Sequence, residues 1–276
     1  MKAFLDCLPC IARQTLETTR IATSDISLQR AALVKVLGRL AETDGRITPM
    51  ELGQMGQEVA REVTGCDDPY TQLKEQSNAR ALELYPRLKE IVEAAEEPLR
   101  TATQIAIAGN IIDFGVPHKI DVEGTLERVL GSSFAVDEYD LFAQRLGEAE
   151  RVFYLADNAG EIVFDRVLME EMRGAEITVA VKDKPFINDA LRADAQAVGV
   201  AKLARVVEVP IYPESSPELE REWARADLIV AKGQANYEAY SEAEGPIFFL
   251  LLAKCDCVAR EAGVRRGDMI LQAGPG

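Results

Sequence analysis

The strongest constraint on the fold is an alternation of short apolar runs and helical stretches in the C-terminal two thirds of the 276-residue chain. The runs are too short for helices and most are rich in β-branched residues, so they predict strands joined by helical crossovers. Such a pattern is typical of a three-layer αβα fold with a largely parallel, Rossmann-like sheet. The predicted strands are residues 104–108, 152–156, 177–181, 206–209 and 228–231, and the predicted crossover helices are residues 161–172, 187–198 and 217–226.

The first hundred residues have a different pattern. Apolar residues recur there at intervals of three and four, which predicts amphipathic helices, and the stop and start signals between them indicate four. We therefore expect an N-terminal helical region, residues 1–100, and an α/β catalytic domain, residues 101–276.

Charge and hydropathy narrow the classes of partner. Acidic residues outnumber basic ones by 46 to 31, which gives a formal net charge of −15 and argues against nucleic-acid binding. The same negative field repels anionic metabolites, so a phosphate site in this chain needs a local cation, a lysine or helix amides. The longest apolar run, residues 247–253, is too short to span a bilayer, and we expect a cytoplasmic protein without a membrane partner.

The five cysteines include two closely spaced pairs, Cys7-Leu8-Pro9-Cys10 and Cys255-Asp256-Cys257. These spacings are compatible with a tetrahedral zinc site or a redox pair, and equally with small apolar residues in a core. His118 is the only histidine, so a Ser-His-Asp triad or a histidine-rich metal site is disfavoured by counting.

Polar side chains follow two of the predicted strands where they end. Asp157 and Asn158 come directly after residues 152–156, and Asp189 lies beyond the next strand. The carboxyl ends of parallel strands are where ligands bind, and oxygen ligands suit Mg²⁺ or Mn²⁺. Helix capping and a solvated first-turn carboxylate are the structural alternatives for these positions.

Two further turns carry candidate substrate-binding groups. Lys232 and Gly233 follow residues 228–231, where a glycine lets backbone amides approach a phosphate, although the spacing is not that of a P-loop. Asn110 and Asp113 follow residues 104–108, and a plain polar turn is the alternative there. By position, Asp113 is also a candidate general acid or base.

Several of these motifs together resemble one family, the metal-dependent damage-control phosphatases (domain of unknown function 89, ARMT-like domain). The Cys-x-x-Cys start is similar to its prokaryotic subfamily. The resembling segments are Cys7-Leu8-Pro9-Cys10, Asp68-Pro69-Tyr70 with Lys74, Gly109-Asn110 with Asp113, Asp157-Asn158-Ala159-Gly160-Glu161, Ile187-Asn188-Asp189 and Lys232-Gly233-Gln234-Ala235-Asn236-Tyr237-Glu238.

The resemblance implies a divalent cation (Mg²⁺, Mn²⁺, Co²⁺ or Ni²⁺) on Asp157, Asn158 and Asp189. It implies hydrolysis of phosphate monoesters of small, sometimes damaged metabolites such as sugar phosphates or phosphopantetheine-like compounds. The catalytic candidates are Asp157, Glu161 and Asp113, and the substrate-binding candidates are Asn110, Lys232, Gly233 and Asn236.

The sequence leaves open whether Asp157 or an activated water attacks phosphorus. Two alternative functions also remain. One is an S-adenosylmethionine-dependent carboxyl methyltransferase, an activity linked with the same family, although no Gly-x-Gly-x-x-Gly loop follows a predicted strand. The other is a non-catalytic thiol-based metal or redox sensor built on the cysteine pairs.

Overall fold

The computed structural model of the protein describes residues 1–110 and 122–275. Its helices are α1 Cys7–Ala22, α2 Ile26–Ala41, α3 Pro49–Thr64, α4 Thr71–Glu93, α5 Pro98–Gly109, α6 Val122–Leu130, α7 Tyr139–Glu148, α8 Glu161–Met169, α9 Arg192–Ala197, α10 Pro217–Arg225, α11 Gly233–Tyr240 and α12 Asp256–Glu261. Its strands are β1 Val136–Asp137, β2 Arg151–Leu155, β3 Glu176–Lys182, β4 Arg205–Val209, β5 Leu228–Lys232, β6 Ile247–Leu252 and β7 Met269–Ala273.

Helices α1, α2 and α3 pack together around their own apolar core, which includes Ile11, Val36 and Leu52. The start of α3 is fixed by a capping box: the Thr48 hydroxyl accepts from the Glu51 amide, and the Glu51 carboxylate accepts from the Thr48 amide at 2.8 Å. The four helices predicted before residue 100 are confirmed. Helix α5 crosses residue 100, and the division into two domains there stays a prediction.

The strands form one seven-stranded sheet in the order β1-β7-β6-β5-β2-β3-β4. The five strands from β6 to β4 are parallel, whereas β7 runs antiparallel to β6. From β2 the chain proceeds outward to β3 and β4, and it then returns to the other side of β2 as β5 and β6. The order therefore reverses between β2 and β5, which is where open α/β sheets bind ligands.

Two apolar cores lie on the opposite faces of the sheet. On one face, Tyr154 and Val230 pack with residues of α5 and α8 such as Ile105 and Phe164. On the other face, side chains including Phe153 and Ile229 pack with Leu219 of α10, Tyr237 of α11 and Val258 of α12. The predicted three-layer α/β fold with a largely parallel sheet is thus confirmed, as are the strands predicted near β2, β3, β4 and β5.

The strand predicted at residues 104–108 is wrong, because this segment forms the second half of α5. Its buried run of isoleucine and alanine lies between α8 and the sheet, and Pro98 at the first turn starts the helix. Residues 105–108 are all buried, so this short window shows no polar residue at helical spacing and resembles a buried strand. The predicted helix 187–198 is also shorter than expected, since α9 begins at Arg192.

Strands β1, β6 and β7 were not predicted. The apolar run at residues 247–253 contains β6, which covers all of it except the last residue. No helix among the described residues is long and apolar enough to cross a bilayer.

Candidate functional site

The loops that follow β2 and β5 meet at the point where the strand order reverses. Gly233 approaches Asp157 so closely that a Cβ on Gly233 would lie 1.8 Å from Asp157 Oδ2. Gly233 also has a φ of +78°, a region that side chains other than glycine rarely adopt. Position 233 therefore requires a glycine for packing against Asp157. The phosphate-binding role predicted for Gly233 stays a prediction.

A third loop, which follows β3, is held against the loop after β2 by backbone hydrogen bonds. The amide of Ala159 donates to the Asn188 carbonyl at 2.9 Å, and the amide of Ala190 donates to the Asp157 carbonyl at 2.8 Å. Ile187 in this loop has a φ of +48°, a strained conformation for a β-branched residue, which the surrounding contacts maintain. The pairing brings Asp189 beside Asn158.

Two carboxylates and two carboxamides form the centre of the site. Asn110 Nδ2 donates to Asp157 Oδ2 at 2.9 Å and to Glu161 Oε2 at 2.7 Å. Asn158 Nδ2 donates to the same two oxygens at 2.7 Å and 2.9 Å. The two amide nitrogens therefore fix Asp157 and Glu161 relative to each other. The side-chain oxygens of Asn110 and Asn158 take no part in these four hydrogen bonds.

Lys232 lies beneath this cluster and is completely buried. Its Nζ donates to Glu161 Oε1 at 2.8 Å, to the Ala106 carbonyl at 2.9 Å and to Asp165 Oδ1. All three ammonium protons are thus used inside the protein. Lys232 neutralises buried carboxylates in the structure, and the direct phosphate contact predicted for it stays untested.

Asp189 supplies another buried carboxylate. The residue is 4% exposed, and Asp189 Oδ2 has no hydrogen-bond partner among the described residues. The nearest cation is Lys182, whose Nζ lies 3.9 Å from that oxygen. An unsatisfied carboxylate oxygen at this depth is costly, so its position favours a ligand that is a cation or a strong donor.

The pKa values of the buried carboxyl groups reflect their burial and their closeness to one another. Burial, reinforced by Glu161 and Asp189, raises the pKa of Asp157 well above its usual range. Burial also raises the pKa of Asp189 to about 6, although Lys182 and Lys74 oppose the rise. Burial acts on Glu161 in the same direction, but Lys232 and Lys254 outweigh it and lower the pKa of that carboxyl. The site is therefore short of positive charge near Asp157 and Asp189.

A cleft of about 500 Å³ opens over Asp157, Asn158 and Asp189. Its lining comes from α1 and α3 of the helical region and from α11 and the segment after β6. The volume suits a small metabolite. The cleft also carries basic residues that partly reverse the charge of the chain as a whole: Arg13, Lys254, Arg260 and Arg266.

Lys254 is a residue that the sequence analysis missed. It is exposed and lines the cleft two residues after β6. Its charge opposes the rise in the pKa of Asp157 and Asp189 and helps to lower the pKa of Glu161. A strand predicted at residues 247–253 would have placed Lys254 directly after a strand end, where candidate site residues are expected.

The remaining candidates have diverse positions. Asn236 is buried and donates from Nδ2 to the Lys232 carbonyl at 2.7 Å and to the Ala156 carbonyl at 3.2 Å, so it joins the ends of β2 and β5. Asn110 ends α5 beneath Asp157. Asp113 and His118 lie outside the described residues.

Comparison with known proteins decides the family. The sequence model of the ARMT1-like damage-control phosphatase domain matches residues 3–270. The chain belongs to this family. It is 34% identical to a damage-control phosphatase of Pyrococcus horikoshii, over 98% of this chain and 97% of that protein. It is 35% identical to a damage-control phosphatase of Archaeoglobus fulgidus, over 96% of each chain.

Structural comparison agrees. The crystal structure of a DUF89 family protein from Pyrococcus horikoshii matches with a TM-score of 0.90 and 31% identity, and the match covers 100% of both chains. The ARMT1-like fold and the predicted phosphatase class are thus confirmed. The methyltransferase alternative, the Cys-x-x-Cys subfamily and the role of each site residue stay untested.

The close approach of Gly233 to Asp157 predicts that Gly233→Ala disrupts the site. Gly263→Ala is the matched control, because Gly263 has a φ of +69° and open space around it. We expect both variants to lose about 1–2 kcal/mol in urea unfolding from backbone strain. Only Gly233→Ala must displace Asp157, so its phosphatase turnover should fall by about 100-fold. Equal turnover in the two variants would contradict this role of Gly233.

A second prediction concerns Asp165. Burial raises its pKa to about 7, against the opposing charge of Lys232. The unfolded chain releases this proton near pH 4 and the folded chain near pH 7, so the free energy of unfolding declines as the pH rises between these values.

Asp165→Asn should remove that decline. We expect the parent to lose on the order of 2 kcal/mol more than this variant between pH 4.5 and 7.5 in urea titrations. In the control Asp227→Asn, the removed carboxyl is one whose pKa Arg151 lowers, so its titration has the opposite sign. Parallel pH profiles for the parent and Asp165→Asn would refute the assignment.

Proposed function

We propose that this phosphatase hydrolyses phosphate monoesters of small metabolites with a divalent cation held by Asp157, Asn158 and Asp189. The observation that carries the proposal is the convergence of these three side chains at the ends of β2 and β3, on the floor of a cleft of about 500 Å³. All three offer hard oxygen ligands, which Mg²⁺, Mn²⁺, Co²⁺ and Ni²⁺ accept.

The chemistry of the residues fits such an ion. The proposed set combines two carboxylates with one carboxamide, and among residues 1–110 and 122–275 no group of three histidine, cysteine, aspartate or glutamate side chains offers another ligand cluster. Asp189 Oδ2 lacks a hydrogen-bond partner.

When bound, the cation would offset charge on the phosphoryl oxygens and activate a nucleophile. Asp157 is the carboxylate that lines the cleft beside it, and it is placed to act on the substrate as nucleophile or general base. Glu161 is 1% exposed and bonded to Asn110, Asn158 and Lys232, so we assign it to positioning rather than to proton transfer.

Among the basic residues that line the cleft, Lys254 is the one whose charge acts on the pKa of all three site carboxyls, Asp157, Glu161 and Asp189. It lies beside the carboxylates on the open side of the site, whereas Lys232 lies below them. We propose that Lys254 binds the phosphoryl oxygens and that Lys232 acts indirectly, by holding Glu161 and Asp165.

The size of the cleft and the four basic residues among its lining support a small phosphorylated metabolite, of the sugar-phosphate or phosphopantetheine class, as the substrate. The net charge of −15 supports the absence of a nucleic-acid partner. A cytoplasmic location and membership of the prokaryotic subfamily with an N-terminal Cys-x-x-Cys complete the proposal.

Removal of the metal tests it. Protein stripped with a chelator should lose hydrolysis of p-nitrophenyl phosphate and regain it with Mn²⁺, Co²⁺, Ni²⁺ or Mg²⁺. Asp157→Asn and Asp189→Asn should each weaken Mn²⁺ binding at least about tenfold in calorimetric titration, because each replaces a carboxylate ligand. Asp183→Asn is the control, since Asp183 is exposed and close in sequence to Asp189. Full activity in excess chelator would refute the proposal.

Lys254 gives an independent prediction. Lys254→Met should lower kcat/KM for phosphate esters by about 100-fold or more, as for loss of one charged donor to a developing oxyanion. Its Mn²⁺ affinity should not weaken, because the variant loses a positive charge near the proposed ligands. Lys202→Met, at an exposed position, is the control. Parental kcat/KM in Lys254→Met would show that phosphate is bound elsewhere.

A further inference from the structure

A buried carboxamide of α4 connects the two loops that carry the proposed metal ligands. Helix α4 packs against α8 and α9, and its residues Ala81 and Leu88 belong to the apolar core that also contains Tyr154 of β2. Asn78 lies on the same helix and is 5% exposed. Burying a carboxamide is unfavourable unless its polar atoms are paired, and the proposed hydrolysis gives this side chain no role. Its partners therefore need an account.

The two polar atoms of the Asn78 side chain bond to different segments. Its Oδ1 accepts from the Gly160 amide at 2.7 Å, and its Nδ2 donates to Asp194 Oδ1 at 2.7 Å. These partners determine which way the carboxamide is turned, because a backbone amide can only donate and a carboxylate accepts. Gly160 lies in the loop after β2, two residues beyond Asn158, and Asp194 lies in the first turn of α9.

Asp194 extends the connection to the loop after β3. Its Oδ2 accepts from the Leu191 amide at 2.8 Å, and Leu191 lies two residues beyond Asp189. Asp194 is 7% exposed, so this contact is also shielded from water. Three successive hydrogen bonds thus lead from one ligand-bearing loop to the other, and Asn78 makes two of them.

We propose that Asn78 is a positioning residue that sets the spacing between the two ligand-bearing loops, and thereby sets metal affinity and turnover. The inference rests on the proposed function, because the loops matter through the ligands that they carry. Asn78 is buried and is not among the residues that line the cleft, so it acts through the loops and not on the substrate.

The connection through Asn78 is separate from the backbone bonds that join the loops directly. Those bonds involve the amides of Ala159 and Ala190, each of which is adjacent to a proposed ligand. Gly160 and Leu191 instead lie where the loops pass into helices, Gly160 directly before α8 and Leu191 directly before α9. We therefore expect loss of Asn78 to leave the loops paired and to shift the ligands relative to one another.

A reciprocal exchange of the two side chains tests the connection. In Asn78→Asp/Asp194→Asn, the carboxylate at position 78 can accept from the Gly160 amide and from the carboxamide at position 194, whose oxygen can still accept from the Leu191 amide. The exchange therefore retains all three hydrogen bonds and the net charge. Asn78→Asp alone instead places two buried carboxylates against each other, which is strongly unfavourable. Asp194→Asn alone leaves one acceptor oxygen for two donors.

Steady-state kinetics with p-nitrophenyl phosphate and saturating Mn²⁺ measure the consequence, with the full-length protein well below the thermal midpoint of every variant. We expect Asn78→Asp to lower kcat at least about 30-fold, because small misplacements of catalytic groups are costly. KM should change less than about threefold, since Asn78 does not line the cleft. The exchange variant should recover kcat to within about threefold of the parent, and Asp194→Asn should lie between.

Calorimetric titration of Mn²⁺ tests the effect on the metal. Asn78→Ala is used here because it adds no charge near the proposed ligands. We expect its affinity for Mn²⁺ to be at least about tenfold weaker than that of the parent, since the ligands are no longer held at their spacing. The exchange variant should bind Mn²⁺ like the parent.

Tyr85→Phe is the matched control on the same helix. The Tyr85 hydroxyl bonds to the carboxylate of Glu170, directly after the end of α8, and the substitution removes this bond between α4 and α8. Neither ligand-bearing loop is touched. Whatever change in thermal midpoint Tyr85→Phe causes, its kcat and Mn²⁺ affinity should match those of the parent.

Parental kcat and Mn²⁺ affinity in Asn78→Ala would overturn the proposal, as would an exchange variant no more active than its single variants. If Asn78→Asp does not fold, the comparison of Asp194→Asn with the exchange variant carries the same expectation of recovery. Turnover does not depend on which side chains hold the ion. Parental Mn²⁺ affinity in Asp157→Asn would therefore refute the proposed metal site, whereas failed recovery of kcat would refute the role of Asn78.

Discussion

The site depends on one buried ammonium group. Lys232 holds Glu161 and Asp165 together at the base of the switch point, where neither carboxylate has access to water. Glu161 in turn accepts from Asn110 and Asn158, which also bond to Asp157. A chain of charge-assisted hydrogen bonds thus runs from the core to the floor of the cleft. Removing one partner of such a network would leave a buried charge uncompensated, which is costly. The network therefore fixes the positions of the side chains at the floor of the cleft.

The arrangement leaves an excess of negative charge at the surface of the network. Lys232 offsets only part of the buried carboxylates, and Lys182 lies 3.9 Å from Asp189 Oδ2, too far for a hydrogen bond. The proposed cation would fill this deficit locally and, together with the basic residues that line the cleft, would let a chain with a net charge of −15 bind an anionic substrate. Charged residues elsewhere on the protein produce its long-range electrostatic field. Salt screens that field, so it acts on a substrate in the cleft less strongly than the adjacent charges do.

Much of this could be predicted from the sequence. Periodicity located β2, β3, β4 and β5, and the rule that ligands bind at strand ends placed Asp157, Asn158 and Asp189 together. What failed did so for physical reasons. The second half of α5 is buried on every side, so the short apolar window at residues 104–108 resembles a strand. The depth of Lys232 and the closeness of Gly233 to Asp157 depend on packing between distant segments, which local pattern does not encode.

The central claim is that a divalent cation binds at Asp157, Asn158 and Asp189. Crystals soaked in Mn²⁺, with diffraction recorded on both sides of the manganese absorption edge, test it most directly. The account predicts that the strongest anomalous peak lies within about 2.3 Å of oxygens from all three side chains. A principal peak at the Cys7 and Cys257 thiols, or no peak near Asp157 at saturating Mn²⁺, would contradict it.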